Sequence, residues 1–280
     1  MIDRDLPPEQ LVALSRTAEA LGADDVWVVE DIGWGGGIAA AATVLATTSR
    51  VRVAVGIFPA PLRNPALLAM EIATLGRLHP GRFVAGIGHG VQEWMRQVGA
   101  AVPSPLALLE ETFAVVRRLL SGERVTIAGR AVSIDDVALV HPPVVSVPLL
   151  AGVTGPKSLD LAGRIADGVV LVEGSGASEI RDAVARAANR TEPYEVVVLC
   201  HFFGSDDPQL VADAVDGVAV GFFGGRAREF TIAAGNAAQI ADVIRGLWEA
   251  GATTVVLRPI DGLQAHFAHV IAVLSAQKRA

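Results

Sequence analysis

Apolar residues along this chain switch repeatedly between helical spacing and short continuous runs. Leu11, Leu14, Ala18 and Leu21 recur at three- and four-residue intervals behind Asp5, a residue type that caps helices, and Gly22 ends the segment. The run from Val26 to Val29 then reads as a buried strand closing on Glu30 and Asp31. A glycine-rich loop at 33–37, a helix to about Thr48, a strand at 51–58, a helix carrying Leu68, Ile72 and Leu75, and a strand at 83–87 follow. The next strong helix signal is Ser104-Pro105, with Leu106, Leu109, Phe113, Val116 and Leu120 as the apolar face and Gly122 as the stop. Residues 125–140 read as a small hairpin. Strands at 148–153, 168–172, 195–202 and 253–258 then alternate with helices at 156–166, 177–190, near 208–216 and at 237–250, with a glycine-rich insertion at 221–236 and a closing helix.

Repeated βα units of this length imply a parallel sheet with right-handed crossovers. Seven strands are legible, and only Met1-Ile2 stands ahead of the first helix as the stub of another. A closed (β/α)8 barrel needs eight.

The most informative stretch is RFVAGIGHGVQEWMRQ at 82–97, an apolar run ending in glycines at alternate positions, Gly86, Gly88 and Gly90. Such a strand end delivers bare backbone to a ligand, with His89, Gln92, Glu93 and Trp94 at a pocket mouth. The spacing is not the dinucleotide fingerprint, because the third glycine would fall at Val91.

With 280 residues, half of them apolar and no linker, the chain reads as one domain over 1–280, with excursions near 122–147 and 217–237. A net charge of −7 with scattered basic residues gives neither a nucleic-acid footprint nor attraction to an anionic membrane, so any anionic ligand must be held by local groups. The single cysteine, Cys200, sits within VVVLC and reads as a buried, inert thiol. No apolar stretch approaches the ~20 residues that span a bilayer, which points to a soluble, cytoplasmic protein. His266 and His269 share a helix face without a third ligand nearby, so no metal site is expected.

Three ordered segments resemble the bacterial luciferase-like family: AEALGADDVWVVED at 18–31, RNPALLAMEIATLGRLHPGRFVAGIGHG at 63–90, and PLLAGVTGPKSLDLAGRIADGVVLV at 148–172. Within that family they are similar to the branch using the deazaflavin coenzyme F420, which includes methylenetetrahydromethanopterin reductases and coenzyme-dependent glucose-6-phosphate dehydrogenases. The resemblance implies a TIM barrel with an insertion, usually dimeric, here with the first strand missing or truncated. It implies an oxidoreductase that passes a hydride between coenzyme F420 (8-hydroxy-5-deazaflavin) and a small organic substrate. An FMN-dependent monooxygenase is the alternative, and a cofactor-binding or degraded barrel without catalysis is a further one.

Carried over residue by residue, Gly56-Ile57 falls where relatives hold a non-prolyl cis peptide against the ring, and Gly152 is a further cofactor-binding position. Thr154, Gly155, Lys157 and Ser158 fall at the coenzyme phosphate, flanked by Val172, Gly174 and Ser175. Physics supports that placement, since Pro156 suits a first helical turn whose free N–H groups attract an anion. His89 and Gly90 match the pair beside the deazaflavin. The chain departs from the sugar-phosphate dehydrogenases at Val91, where their acid stands, and at Asp31, where their histidine stands, with Glu30 in place of the usual Asp. His89 and Asp31 are therefore the candidate proton-handling residues. Trp34 and Trp94 are candidates for stacking a planar substrate, and Arg63 and Arg258 for an anionic tail.

Overall fold

Continuous Val- and Ala-rich runs form strands that are covered on both faces, and here they pair in parallel. The structure, a computed structural model, describes residues 1–224 and 230–260. In chain order its first elements are α1 (Leu11–Ala20), β1 (Asp25–Val28), α2 (Gly37–Thr47), β2 (Arg52–Pro59), α3 (Pro65–Leu78), β3 (Phe83–Gly88), α4 (Gln92–Gln97) and α5 (Pro105–Leu120). A separate antiparallel hairpin, β4 (Val125–Ala128) and β5 (Ser133–Val137), precedes β6 (Leu149–Gly152), α6 (Pro156–Ile165), β7 (Gly168–Leu171) and α7 (Ala177–Arg186). The chain continues through β8 (Glu195–Gly204), α8 (Pro208–Gly221), β9 (Ile232–Gly235), α9 (Ala237–Glu249) and β10 (Thr254–Pro259).

The main sheet runs β1-β2-β3-β6-β7-β8-β10, with β9 paired to the end of β8. One inward side chain per strand of that path, Trp27, Ala54, Val84, Leu150, Val170, Val197 and Val256, joins an inner cluster with Leu199. Outward neighbours such as Val26, Val53, Val169 and Val198 join helix residues Leu45, Ile72, Phe113 and Ile180 in the outer core. This alternation is that of a barrel wall.

β1 and β10 end the path and do not pair with each other. Met1 and Ile2 lie between them: the Met1 amine donates to the Leu257 carbonyl at 2.7 Å, and the Ile2 N–H to Trp27 at 2.9 Å. These two residues thus form a bridge between the two edge strands. Beyond it, the Asp25–Val26 edge and the Thr254–Val256 edge line a cavity of about 680 Å³.

Three elements differ from expectation. Helix α4 was not predicted, because only Met95 of its six residues is buried and no apolar stripe marks it. Helix α8 continues to Gly221, since Val218 and Ala219 bury its face past Gly217. Within the supposed insertion, β9 forms because β8 extends to Gly204 and offers it an edge. The closing helix, with His266 and His269, lies outside the described residues. Cys200 is buried, and burial pushes its thiol up to about 12.

The glycines at 86, 88 and 152 leave room that other atoms of the protein occupy. A Cβ on Gly86 would stand 2.5 Å from the Val55 carbonyl oxygen, and one on Gly88 2.3 Å from that of Gly152. All three also border Ile57: its Cγ2 lies 2.9 Å from the Gly86 Cβ position and 2.3 Å from that of Gly152, and its Cδ1 2.9 Å from that of Gly88. The bare positions are a socket for one inward-turned isoleucine. Gly152→Ala is expected to cost about 1–3 kcal/mol by overpacking. Adding Ile57→Ala should recover part of that loss in urea unfolding, because neighbours sharing one space are not additive; strict additivity would contradict the socket.

Candidate functional site

The carboxyl ends of the strands enclose a cavity of about 550 Å³, at the face where barrels place their chemistry. Its floor comprises Gly56, Ile57, Gly152 and Val153. The peptide joining Gly56 to Ile57 is cis. One side carries Glu30, Asp31, His89, Gly90, Val91 and Trp94, and the other Val172, Glu173, Leu199, Phe222, Phe223 and Arg258.

Of the residues singled out in the sequence, the structure brings Glu30, Asp31, Gly56, Ile57, His89, Gly90, Trp94, Gly152, Thr154 and Val172 together around this cavity. Gly155, Lys157 and Ser158 continue from Thr154 into the start of α6. That start has no side-chain cap, Gly155 has a φ of 83°, and a Cβ there would meet nothing within 4 Å. Lys157 is exposed beside it and pairs with no described carboxylate. An open helix terminus with a spare cation suits an anion such as phosphate. His89 ties the two regions together, its Nε2 lying 3.0 Å from Ser158 Oγ. Burial holds the His89 imidazole below its ordinary value, opposed by the Pro105 backbone.

Other expectations require correction. Gly174 and Ser175 do not line the cavity; Gly174, at φ 89°, packs beneath Phe223 and Phe230. Asp31 forms an ion pair with Arg4 at 2.5 Å, which places it in a salt bridge at the mouth. Arg4 also stacks 4.3 Å from the Trp34 ring centroid, while the Trp34 Nε1–H donates to Asp5 at 2.8 Å. Trp34 thus holds the N-terminal segment outside the cavity lining, 6.0 Å from the Trp94 ring. Arg63 donates to both oxygens of Glu30 and, at 2.9 Å, to Glu71, so it is no free anion binder. The same Glu30 accepts the Gly37 N–H at 2.8 Å, fixing the start of α2. Arg258 is likewise engaged, by Asp3 at 2.9 Å and Glu173 at 2.8 Å.

Sequence reasoning passed over Arg4, Phe222, Phe223 and His201. The last left a signal, the one polar residue on the inward face of the apolar run VVVLCHFFG that follows Glu195. His201 is 4% exposed, and burial followed by the nearby Arg258 charge pulls its pKa down to about 4. Among the described residues no cluster of metal-ligating side chains occurs, and no helix is long and apolar enough to cross a membrane.

Residues 2–268 match the family model for luciferase-like monooxygenases. The chain belongs to that family. Among its relatives is an F420-dependent glucose-6-phosphate dehydrogenase from Beutenbergia cavernae, 36% identical over 60% of this chain and 54% of the relative. Another is a 5,10-methylenetetrahydromethanopterin reductase from Methanolobus tindarius, 30% identical over 77% of this chain and 68% of the relative. The family member described here thus spans between about half and two thirds of the length of such relatives. In fold it is similar to an F420-dependent secondary alcohol dehydrogenase in complex with an F420–acetone adduct, with a TM-score of 0.84, 21% identity and coverage of 95% of this chain and 94% of that one. It is also similar to the tetrahydromethanopterin reductase of Methanopyrus kandleri, with a TM-score of 0.80, 21% identity and coverage of 96% and 94%. These agreements fix the barrel fold.

The depressed His201 gives a pH dependence of stability. Its neutral form is favoured in the folded state, so its contribution is complete above the unfolded value near 6.5 and is lost as pH falls towards about 4. Between pH 7 and pH 5, His201→Phe should remove roughly 2 kcal/mol of the fall in unfolding free energy seen in urea titrations. An unchanged fall would show that His201 is not held neutral.

Proposed function

We propose that this luciferase-like protein is an oxidoreductase that binds coenzyme F420 and transfers a hydride between it and a small organic substrate. The observation that carries this reading is the continuity of an apolar floor with an uncapped helix start. Ile57, Gly152 and Val153 offer a flat surface for a ring, and Thr154, Gly155 and Lys157 lead directly to an anion position. The relatives described as F420-dependent support the deazaflavin over FMN, although either group has a ring and a phosphate. When bound, the deazaflavin supplies a carbon that accepts or donates hydride.

The protein's own residues do the rest. Ile57, Gly152, Val153 and the His89–Ser158 contact would hold the coenzyme's ring and phosphate, and the remaining cavity would hold the substrate within reach. Aromatic residues Trp94, Phe222, Phe223 and Phe230 limit water around the reacting carbon. Exposed Leu67, Met70 and Leu78 on α3 support a second copy of the chain as partner, and a cytoplasmic location suits the coenzyme.

Fluorescence titration with F420 is expected to show saturable 1:1 binding. Lys157→Ala should weaken it about tenfold, the ~1.4 kcal/mol of one charge-assisted contact, without changing the thermal midpoint. Tight FMN binding with no F420 affinity would overturn the reading.

A further inference from the structure

Within the described residues, His201 is the only titratable side chain whose every polar atom is buried and without a hydrogen-bond partner. Buried polar groups are otherwise satisfied as a rule, so an imidazole with both nitrogens open requires an explanation. Its position supplies one. On β8, Val197 and Leu199 point into the barrel, and His201 follows on the same face at the carboxyl end of the ring. Its pairing partner on β10 is Arg258, which lines the cavity, as does Leu199 one pleat earlier. Two further cavity residues cover the imidazole: the rings of Phe222 and Phe223 stand edge-on to it, with centroids 4.9 Å and 5.6 Å away. Phe222 is 44% exposed, so the ring that covers the imidazole on one side borders solvent on the other.

The charges around His201 define what it can recognise. Arg258 is flanked by two carboxylates, Asp3 and Glu173, so the three groups together carry an excess negative charge that disfavours an anion. The imidazole is neutral and offers one N–H donor and one bare nitrogen acceptor. That pair matches an uncharged oxygen in either redox state: a carbonyl accepts from the N–H, and a hydroxyl donates to the bare nitrogen. The surrounding Leu199, Phe222, Phe223 and Val172 suit an apolar body attached to that oxygen.

We propose that His201 is a catalytic residue that hydrogen-bonds the oxygen of an uncharged alcohol or carbonyl substrate, reached when the Phe222 ring turns aside. This deepens the F420 reading by naming its substrate class, and rests on it. The role is polarisation and orientation of the oxygen, in the manner of a neutral imidazole electrophile, and involves no proton leaving the ring.

The test uses full-length protein with ¹⁵N-labelled histidine rings. It is titrated with cyclohexanone and cyclohexanol in the presence of F420, with glucose 6-phosphate as the anionic control, while F420 fluorescence reports coenzyme binding separately. The expected result is a saturable shift of the His201 ring nitrogens with the two uncharged probes and none with the sugar phosphate. Phe222→Ala should tighten that response. His201→Phe should lower cyclohexanone affinity about tenfold while leaving F420 affinity within about twofold. A purely structural histidine would show no ligand-dependent ring shift. His201 resonances unmoved in both wild type and Phe222→Ala, or full ketone affinity in His201→Phe, would overturn the proposal. Loss of F420 binding alone would overturn the coenzyme reading instead, since the ketone titration of the free protein still reports on His201.

Discussion

The site depends on one steric arrangement, the placement of the Ile57 side chain across two neighbouring strands that leave three inward positions bare. Gly86 and Gly88 on β3 and Gly152 on β6 yield the space, and the Ile57 side chain occupies it. A Cβ at any of the three would collide with backbone or with Ile57 itself. Packed interiors do not absorb such collisions without shifting strands. The consequence is an asymmetric barrel mouth, lined by Gly56, Ile57 and Gly152 over β2 and β6, and by Leu199 and Arg258, with His201 buried beside them, over β8 and β10. A flat ligand has one side on which to lie.

Charge completes the asymmetry. The arginines around the mouth are committed to carboxylates: Arg4 to Asp31, and the two that the sequence offered for an anionic tail, Arg63 to Glu30 and Glu71 and Arg258 to Asp3 and Glu173. These pairs also perform structural work. Glu30 holds the start of α2, and Asp3 and Arg4 fasten the N-terminal segment whose first two residues bridge β1 and β10. Lys157, by contrast, stands exposed at the open start of α6, so the site's spare positive charge is concentrated where a phosphate would bind.

Seven strands were legible because each is a continuous apolar run buried on both faces. Helix α4 was not, since Met95 alone anchors it, and β9 was not, since Ile232–Gly235 becomes a strand only beside the extended end of β8. The glycines of 86–90 were recognised as unusual, yet their spacing could not reveal that Ile57, some thirty residues earlier, fills the space beside them. Long-range ion pairs were invisible for the same reason: Arg258 meets Asp3 across nearly the whole chain, and no local pattern encodes that meeting. The cluster from Glu30 to Thr154 emerged because family resemblance supplied the three-dimensional neighbours that spacing lacks.

The central claim is that Ile57 forms the surface on which the deazaflavin ring lies. The direct measurement is the NMR shift of the Ile57 δ-methyl group in ¹³C-methyl-labelled protein as F420 is added. The account predicts that this methyl shows the largest ring-current displacement among the isoleucines, saturating at one equivalent. Saturable F420 binding with an unmoved Ile57 methyl would contradict it.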